Sequence, residues 1–346
     1  MSYNIDKLSF TIWGNGHDET RSDSGDGEST GVDEYTFPYG VNYACFDSSG
    51  TYVWLTQNGS YDGLIKCDMA TMTDQHQSAI SGYSSLALFH PSNVANDYGI
   101  VTQVGAGNRR WWVIDLNDDT VVASGNNVTN MDMFGGYECD CILVSNKIYL
   151  LQVESGYLAT FDLSNGTASV ASLAYCGNYS DCFANDSSIF VSNEVSTGRY
   201  RLSLVEFDDT RTWNDVQIAT DVVGFAMGGN GKLYMPTNDS GWKMGEYSAT
   251  NPDIATPSPI KTFGSFPSKP SLDLGYQPRG TWRAYNHGRT RMAFTTNVGS
   301  YVADASGNSM EKLFEGDNVK VHALNNKYCI ATAFNDAKKL YLIKYR

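Results

Sequence analysis

The sequence predicts an all-β fold, a seven-bladed β-propeller in which each blade is a four-stranded antiparallel sheet. One observation behind this is a strand pattern that recurs through the chain at a spacing of about 46 residues, the length of one such blade. A second is that further alternating apolar segments flank every recurrence. A third is the abundance of Gly, Asn, Ser and Thr between these segments, which favours tight turns over helices.

The recurring pattern is an alternating apolar strand that usually ends in Asp. It reads LIKCD, WWVID, LATFD, LVEFD, GEYS, YVAD and LIKYR, ending at Asp68, Asp115, Asp162, Asp208, Ser248, Asp304 and Arg346. An Asp side chain accepts hydrogen bonds from backbone amides about two residues further on. We therefore interpret the aspartates as structural turn caps, which recur once per blade and so cannot meet at one catalytic centre.

Two other strands precede each recurrence, and a fourth follows it in six blades. We name the strands of a blade A to D in chain order, so the recurring pattern is strand C. Strand A is predicted at 41–46, 85–89, 139–144, 181–184, 223–227, 280–285 and 319–324. Strand B is predicted at 50–56, 99–104, 147–153, 188–193, 232–237, 291–296 and 327–333. Strand D is clearest at 120–124 and 167–172.

The ring is predicted to close through the N-terminus, and residues 1–346 then form a single domain. The seventh blade reaches the end of the sequence at its strand C, while the segment LSFTIW at 8–13 has no blade of its own. We expect this segment to be the outer strand of the seventh blade, which would cover an exposed edge. A six-bladed ring with a separate N-terminal element is the alternative.

The segments DLNDDT (115–120) and DLSNGT (162–167) resemble the repeat of quinone-dehydrogenase-like propellers, in which a strand ends in an Asp followed by a polar turn. Counting all recurrences, the resemblance covers nearly the whole chain. It implies the propeller fold and specifies no activity.

The charge excludes two classes of partner. The 346 residues carry a formal net charge of −14, so we expect no binding to nucleic acid, whose phosphates require Lys and Arg. No apolar run approaches the roughly 18 residues of a membrane span, and the N-terminus MSYNIDKLSF lacks the pattern of a secretory signal. We expect no membrane insertion.

One propeller face is the predicted binding surface. The B–C turns and the D–A connections share a face, which we call the BC face, and the A–B and C–D turns share the opposite AB face. Two long D–A connections are predicted for the BC face, an acidic loop at 14–35 and a Pro-containing loop at 264–279. The B–C turns add exposed aromatic and cationic candidates for binding, namely Tyr61, Arg109, Arg110, Tyr200, Trp242 and Lys338.

We predict no metal site and no cofactor. The five His residues form no ligand motif. In the acidic loop, the spacing of Asp23, Asp26, Glu28 and Asp33 does not match a calcium loop. We expect most cysteines to be buried thiols. A disulfide between Cys176 and Cys182, or a metal site that adds Cys139 and Cys141, is the alternative.

Catalysis is not predicted either. Sialidases resemble one another in repeated Asp boxes, and the nearest match here, residues 209–213, is incomplete and does not repeat. Paired carboxylates on A strands would suit glycoside hydrolysis, with Asp132, Asp140 and Asp181 as candidates.

The sequence therefore favours a non-catalytic structural or binding protein. Our first hypothesis is a bacteriophage virion component, in the tail, a fibre or the head decoration, whose partners are other virion or assembly proteins or a host surface glycan. The acidic charge and the polar turns are its support. A carbohydrate-binding propeller or a propeller-type glycosidase is the alternative, followed by a scaffold for cytosolic proteins. The expected location is the virion, or otherwise the cytoplasm.

Overall fold

In the computed structural model the described residues form β-strands and turns, with one turn of 3-10 helix at Met131–Met133. The structure describes residues 7–9, 31–58, 63–77, 80, 86–91, 98–103, 109–134, 139–152, 157–172, 181–184, 188–196, 199–206, 216–218, 226–227, 232–248, 259–270, 283–286, 290–304, 308–315 and 319–345. Within them the strands make six four-stranded sheets and one five-stranded sheet. This confirms the predicted all-β architecture of four-stranded antiparallel units.

The chain begins with two strands of the last sheet, β1 (Lys7–Ser9) and β2 (Gly31–Thr36). Sheet 1 then contains β3 (Gly40–Phe46), β4 (Tyr52–Asn58), β5 (Leu64–Asp68) and β6 (Asp74–Gln77). Sheet 2 contains β7 (Leu86–Phe89), β8 (Tyr98–Gln103), β9 (Trp111–Asp115) and β10 (Thr120–Gly125). Sheet 3 contains β11 (Cys139–Val144), β12 (Lys147–Gln152), β13 (Tyr157–Asp162) and β14 (Thr167–Ser172).

The next three sheets repeat this order. Sheet 4 contains β15 (Asp181–Ala184), β16 (Ser188–Ser196), β17 (Arg199–Glu206) and β18 (Val216–Ile218). Sheet 5 contains β19 (Ala226–Met227), β20 (Lys232–Asn238), β21 (Trp242–Ser248) and β22 (Lys261–Phe263). Sheet 6 contains β23 (Arg283–Tyr285), β24 (Arg291–Thr296), β25 (Gly299–Asp304) and β26 (Ser309–Phe314). Each of sheets 1 to 6 is a meander of strands A to D in chain order.

Sheet 7 joins the two ends of the chain. It contains β27 (Val319–Leu324), β28 (Tyr328–Ala333) and β29 (Lys339–Lys344), and β29 pairs with β2 from the N-terminus. The strand-D position is therefore filled by Gly31–Thr36, and the prediction that residues 8–13 fill it is wrong. The short strand β1 instead pairs with the outer side of β2 as a fifth strand.

The reason for this difference is the burial of one aromatic residue. Tyr35 of β2 is 1% exposed and packs in the cluster that contains Leu340 and Leu342 of β29. In the sequence, the acidic residues of β2 interrupt the alternating apolar pattern that predicts a strand. Glu34 pairs with Lys339 on β29, with 3.3 Å between Glu34 Oε1 and Lys339 Nζ.

Neighbouring sheets pack face to face, so their inner strands are covered on both sides. β7 is buried along its whole length, whereas the outer strand β14 is mostly exposed. One apolar cluster joins sheets 1, 2 and 3 and includes Trp54, Trp111 and Phe161. Further clusters join sheet 5 to sheet 6, sheet 6 to sheet 7, and sheet 7 back to sheet 1. Strand β27 also contacts β3, so the last sheet packs against the first.

Candidate binding face

Hydrogen bonds between connections define the BC face. The amide of Phe37 donates to the carbonyl of Lys338 at 2.9 Å, and the amide of Val41 donates to that of Ala337 at 2.7 Å. These bonds tie the short connection 37–39, between β2 and β3, to the B–C turn of sheet 7. The connection that enters sheet 1 therefore lies on the BC face beside one of the predicted binding residues.

The acidic segment has a different location from the one predicted. Gly31 pairs with Lys344 and Thr36 with Lys339, so β2 begins at the AB face and ends at the BC face. β1 is antiparallel to β2 and runs towards the AB face. The prediction that the whole of 14–35 is a loop on the BC face is thus wrong for its described residues. Residues 31–35 belong to a strand, while residues 14–30 lie outside the described residues.

The predicted loop at 264–279 is held against two sheets in its described part, 264–270. The amide of Phe266 donates to the carbonyl of Trp242 at 2.8 Å, which ties the loop to the B–C turn of sheet 5. The ring of Phe266 is 6% exposed and lies edge-on to Tyr301 of sheet 6, with 5.1 Å between centroids. This part of the loop is a packed element on the BC face, and residues 271–279 lie outside the described residues.

Trp242 and Lys269 form an aromatic–cation pair on this face. Lys269 Nζ lies 5.6 Å from the centroid of the Trp242 ring, which is half-buried. Next to it, Asp239 accepts a hydrogen bond from the Thr262 hydroxyl at 3.0 Å and lies 3.6 Å from Lys243 Nζ. The predicted residue Trp242 therefore lies beside the cation of Lys269 at the rim of sheet 5.

Arg109 and Arg110 precede strand C of sheet 2. Arg109 Nε lies 3.5 Å from Asp132 Oδ1, and the Arg109 side chain is 40% exposed. Asp132 belongs to the 3-10 turn in the connection between sheets 2 and 3, so it does not lie on an A strand as the glycosidase alternative requires. Arg110 is exposed, and its carbonyl accepts a hydrogen bond from the amide of Gln103 at 3.1 Å.

Lys338 is exposed in the B–C turn of sheet 7, and Asp336 shapes this turn by accepting a hydrogen bond from the Lys338 amide at 3.2 Å. The neighbouring Lys339 has a raised pKa because it donates a hydrogen bond to Glu34. Among the other predicted binding residues, Tyr200 lies in strand β17, paired with Glu194, rather than in the turn itself. Tyr61 lies outside the described residues.

On the AB face, three of the predicted turn caps accept backbone hydrogen bonds. Asp68 Oδ1 accepts from the amides of Ala70 and Thr71, both at 3.0 Å. Asp115 Oδ1 accepts from the amide of Asn117 at 2.8 Å. Asp162 Oδ1 accepts from the amide of Ser164 at 3.0 Å and from its hydroxyl at 2.5 Å. The side-chain hydrogen bond from Ser164 is the main cause of the lowered pKa of Asp162.

The carboxylate of Asp304 accepts a hydrogen bond from a side chain of the neighbouring strand. Its Oδ2 accepts a hydrogen bond from Arg291 Nε at 3.0 Å, and Arg291 also donates to the carbonyl of Asn326 in sheet 7 at 2.7 Å. Asp304 therefore orients an arginine that links sheets 6 and 7. Asp208 lies outside the described residues, as does the segment 209–213.

The described residues contain no group of three or more His, Cys, Asp or Glu that could hold a metal ion. Cys45, Cys67, Cys141 and Cys329 are buried and form no disulfide, and burial raises the pKa of Cys45 and Cys329. His322 is half-buried in strand A of sheet 7, where desolvation and the charge of Lys320 lower its pKa. The side chains of Cys139, Cys176, Cys182, Asp140 and Asp181 lie outside the described residues, together with Asp23, Asp26 and Glu28.

Sequence reasoning missed the threonines of strand B. Thr102 donates to the carbonyl of Phe134 at 2.5 Å, and Thr295 donates to that of Val319 at 2.9 Å. Each threonine therefore holds the segment of chain that leads into the following sheet. Both are fully buried. A signal was present, because a Thr occupies the same part of strand B at 56, 102, 295 and 332.

The fold is a β-propeller, and comparisons with solved structures support this class. The β-propeller domain of Cps50 (Swd1) from Myceliophteria thermophila matches with a TM-score of 0.57 and 12% identity, over 90% of this chain and 98% of that one. Hydrazine synthase from Kuenenia stuttgartiensis matches with a TM-score of 0.52 and 7% identity, over 90% and 97%. Hsv2 from Kluyveromyces lactis matches with a TM-score of 0.51 and 9% identity, over 85% and 90%.

These likenesses concern the fold alone, since the identities are only 12%, 9% and 7%. No protein-family model matches the chain, and no curated protein matches it in sequence. Within the described part of the chain, no helix has the length and apolar character needed to cross a membrane.

Proposed function

We propose that this protein is a non-catalytic binding scaffold, a seven-bladed propeller that uses its BC face to contact a protein partner or a receptor. The packing of β27 against β3 and the pairing of β2 with β29 support a ring in which the seven sheets are the seven blades. The turn caps of strand C support the resemblance to quinone-dehydrogenase-like repeats as part of the same proposal.

The assignment of the BC face as the binding face rests on a contrast between the two faces. On the AB face, the aspartates of three C–D turns bond to amides of their own turns, namely Asp68, Asp115 and Asp162. On the BC face, Arg110 and Lys338 are exposed, and Arg109 and Trp242 are partly so. Arg and aromatic side chains on rigid turns are typical anchors of protein interfaces.

We propose a bacteriophage virion as the setting, with the protein in the tail, a fibre or the head decoration, and the cytoplasm as the alternative location. The acidic charge and the polar, Gly-rich turns support this proposal. Its partners would be other virion proteins. The first experiment is mass spectrometry of phage particles purified from a host that carries the gene, and absence of the protein from the particles would contradict this setting.

A pair of charge-matched variants tests the binding face. The first replaces Arg109, Arg110 and Lys338 with Gln on the BC face. The control replaces Lys147, Lys327 and Lys344 with Gln at the ends of strands on the AB face, which removes the same charge. We expect the first variant alone to lose incorporation into particles, and to lose it more at low salt, because charged contacts are screened as ionic strength rises. Equal incorporation of both variants would contradict the assignment.

Carbohydrate binding is the second candidate, and the half-buried ring of Trp242 beside Lys269 favours it. Aromatic rings with a polar rim are suited to sugars, which offer both apolar faces and hydroxyl groups. A glycan array with the wild-type protein and with the Trp242→Ala variant tests this candidate. A specific signal that disappears in the variant would support it, and an array without signal would remove it.

A further inference from the structure

The outer strand of sheet 2 lacks the charges that normally protect a sheet edge. β10 reads TVVASG and contains no charged residue. The other described outer strands of four or more residues include charges, as in β6 and β26, except for β14 in sheet 3. Natural sheets use charged side chains at their edges to prevent pairing with other chains. β10 therefore lacks this charged form of edge protection, and its edge carries only a bulge at Val121–Ala123.

β10 also presents apolar side chains to solvent. Val121 is 42% exposed and Val122 is 43% exposed, and together with Ile260 they are the exposed large hydrophobic residues of the described chain. A bulge between Val121 and Ala123 leaves Val122 without a paired residue in β9. The second uncharged strand, β14, differs because Ala168 and Val170 pack against the apolar cluster of sheets 1 to 3. Among the described outer strands of four or more residues, an uncharged edge with exposed valines is thus confined to β10.

We propose that β10 is a self-association edge, at which the β10 strands of two copies of this chain pair antiparallel about a two-fold axis. One β-sheet would then continue from sheet 2 of one copy into sheet 2 of the other. Sheet 7 shows that the outer side of a strand D in this fold accepts a further antiparallel strand, since β1 pairs with β2 there.

The residues that flank β10 indicate a second copy as the occupant. Asp118 and Asp119 precede the strand, and Asn126 and Asn127 follow it. Asp118, Asn126 and Asn127 are exposed. An antiparallel two-fold arrangement places the acidic end of each copy beside the Asn pair of the other, where amide groups donate to carboxylates. The carboxylates of the two copies are kept at opposite ends of the interface, and the valines meet at its centre.

The expected association is weak. A single strand edge buries less than the roughly 800 Å² per partner of a stable interface, so the dimer should form only at high protein concentration. The centre of the interface is uncharged, while the copies repel each other through their net charge. Raising the salt concentration should therefore not weaken the dimer, in contrast to binding through the charged residues of the BC face.

Sedimentation equilibrium over a hundredfold range of concentration, at low and high salt, tests the proposal. We expect the wild type to dimerise, the Val122→Lys variant to remain monomeric, and the Ser169→Lys variant, which adds the same charge to β14, to dimerise like the wild type. A wild type that stays monomeric, a dimer that persists in Val122→Lys, or equal loss in both variants would overturn the proposal. Circular dichroism shows whether each variant is folded.

Hydrogen exchange of the wild type gives a test that needs no variant. Outward-facing amides of β10 should exchange more slowly as the protein concentration rises, because the partner strand accepts their hydrogen bonds. The amides of β14 should exchange at a rate independent of concentration. Equal and concentration-independent exchange in both strands would overturn the assignment of β10 even if the protein dimerises. The Gln variants of the BC face should dimerise normally, so this result and that of the proposed function are separable.

Discussion

The indole Nε1 of Trp54 donates a hydrogen bond to the carbonyl of Leu116 at 2.9 Å, which joins a buried side chain of sheet 1 to the C–D turn of sheet 2. Lys66 Nζ donates a hydrogen bond to the carbonyl of Asn117 in the same turn, at 3.0 Å. Asp115 gives the turn its shape by accepting from the Asn117 amide. The Asp115 cap in sheet 2 therefore also positions the backbone carbonyls that accept hydrogen bonds from sheet 1.

Replacing Trp54 with Phe should destabilise the protein more than replacing Trp111 with Phe. Both residues are at most 2% exposed, and both substitutions remove an indole from the same apolar cluster. Trp54 loses a hydrogen bond and leaves the Leu116 carbonyl unpaired, whereas Trp111 Nε1 has no hydrogen-bond partner to lose. We expect a difference of about 1–3 kcal/mol in the free energy of unfolding, measured in urea. Equal losses would show that the bond adds no net stability.

Closure of sheet 7 should depend on β2 more than on β1. The Tyr35→Ala variant removes a ring of β2 that is 1% exposed and packs with Leu340 and Leu342 of β29. It should lower the free energy of unfolding by about 3–5 kcal/mol. Deleting residues 1–9, which include β1, should cost less because β2 still covers the edge of β29. Thermal unfolding of the two variants makes the comparison. A larger loss on deletion would mean that the N-terminal residues, rather than β2, secure the ring.

Asp68 should stabilise its turn through its acceptor oxygen and not through its charge. The Asp68→Ala variant loses the hydrogen bonds from Ala70 and Thr71 and should lose about 0.5–2 kcal/mol. The Asp68→Asn variant keeps an acceptor in the same place and should stay close to the wild type. Urea unfolding at neutral pH distinguishes them. If Asn is as damaging as Ala, the carboxylate charge is needed and the turn-cap account is incomplete.

Glu246 should give sheet 5 a pH-dependent contribution to stability. Burial alone raises the pKa of Glu246, but hydrogen bonds and charge from Lys261 and Lys232 outweigh it, so the pKa lies below its usual value. Lys261 Nζ is 2.9 Å from Glu246 Oε2. A carboxyl group with a lowered pKa stabilises the fold at pH values above its unfolded-state pKa of about 4.3. This stability is lost as the pH falls through the folded-state pKa.

The Glu246→Gln variant tests that expectation. Its loss of stability relative to the wild type should be largest at pH values above the unfolded-state pKa and should shrink at lower pH. The Glu315→Gln variant is the control, because Glu315 pairs with Lys312 while its side chain is 86% exposed, and exposed pairs contribute little. A difference between Glu246→Gln and the wild type that is constant across pH would contradict the role of the charge.

Repetition is the reason that the sequence alone predicted most of the fold. Each sheet has to bury strands A and B on both sides and turn sharply after strand C, so the same apolar pattern and the same Asp return once per sheet. The bounds of β3, β11 and β27 agree with their predicted positions within a residue for this reason. The turn caps at Asp68, Asp115 and Asp162 were also evident from position, because an Asx-type bond depends only on residues within the same turn.

The tertiary structure decided what depends on partners distant in sequence. Residues 8–13 alternate as a strand should, yet β2 occupies the edge of β29 because Tyr35 fits between the last and first sheets. That exchange makes residues 31–35 of the acidic segment a strand that begins at the AB face and ends at the BC face. Arg291 meets the carbonyl of Asn326, and Trp54 meets that of Leu116, only after the sheets pack together. Local patterns determine strands and turns, whereas the fit between neighbouring sheets determines which strand completes the last sheet and which side chains stay exposed.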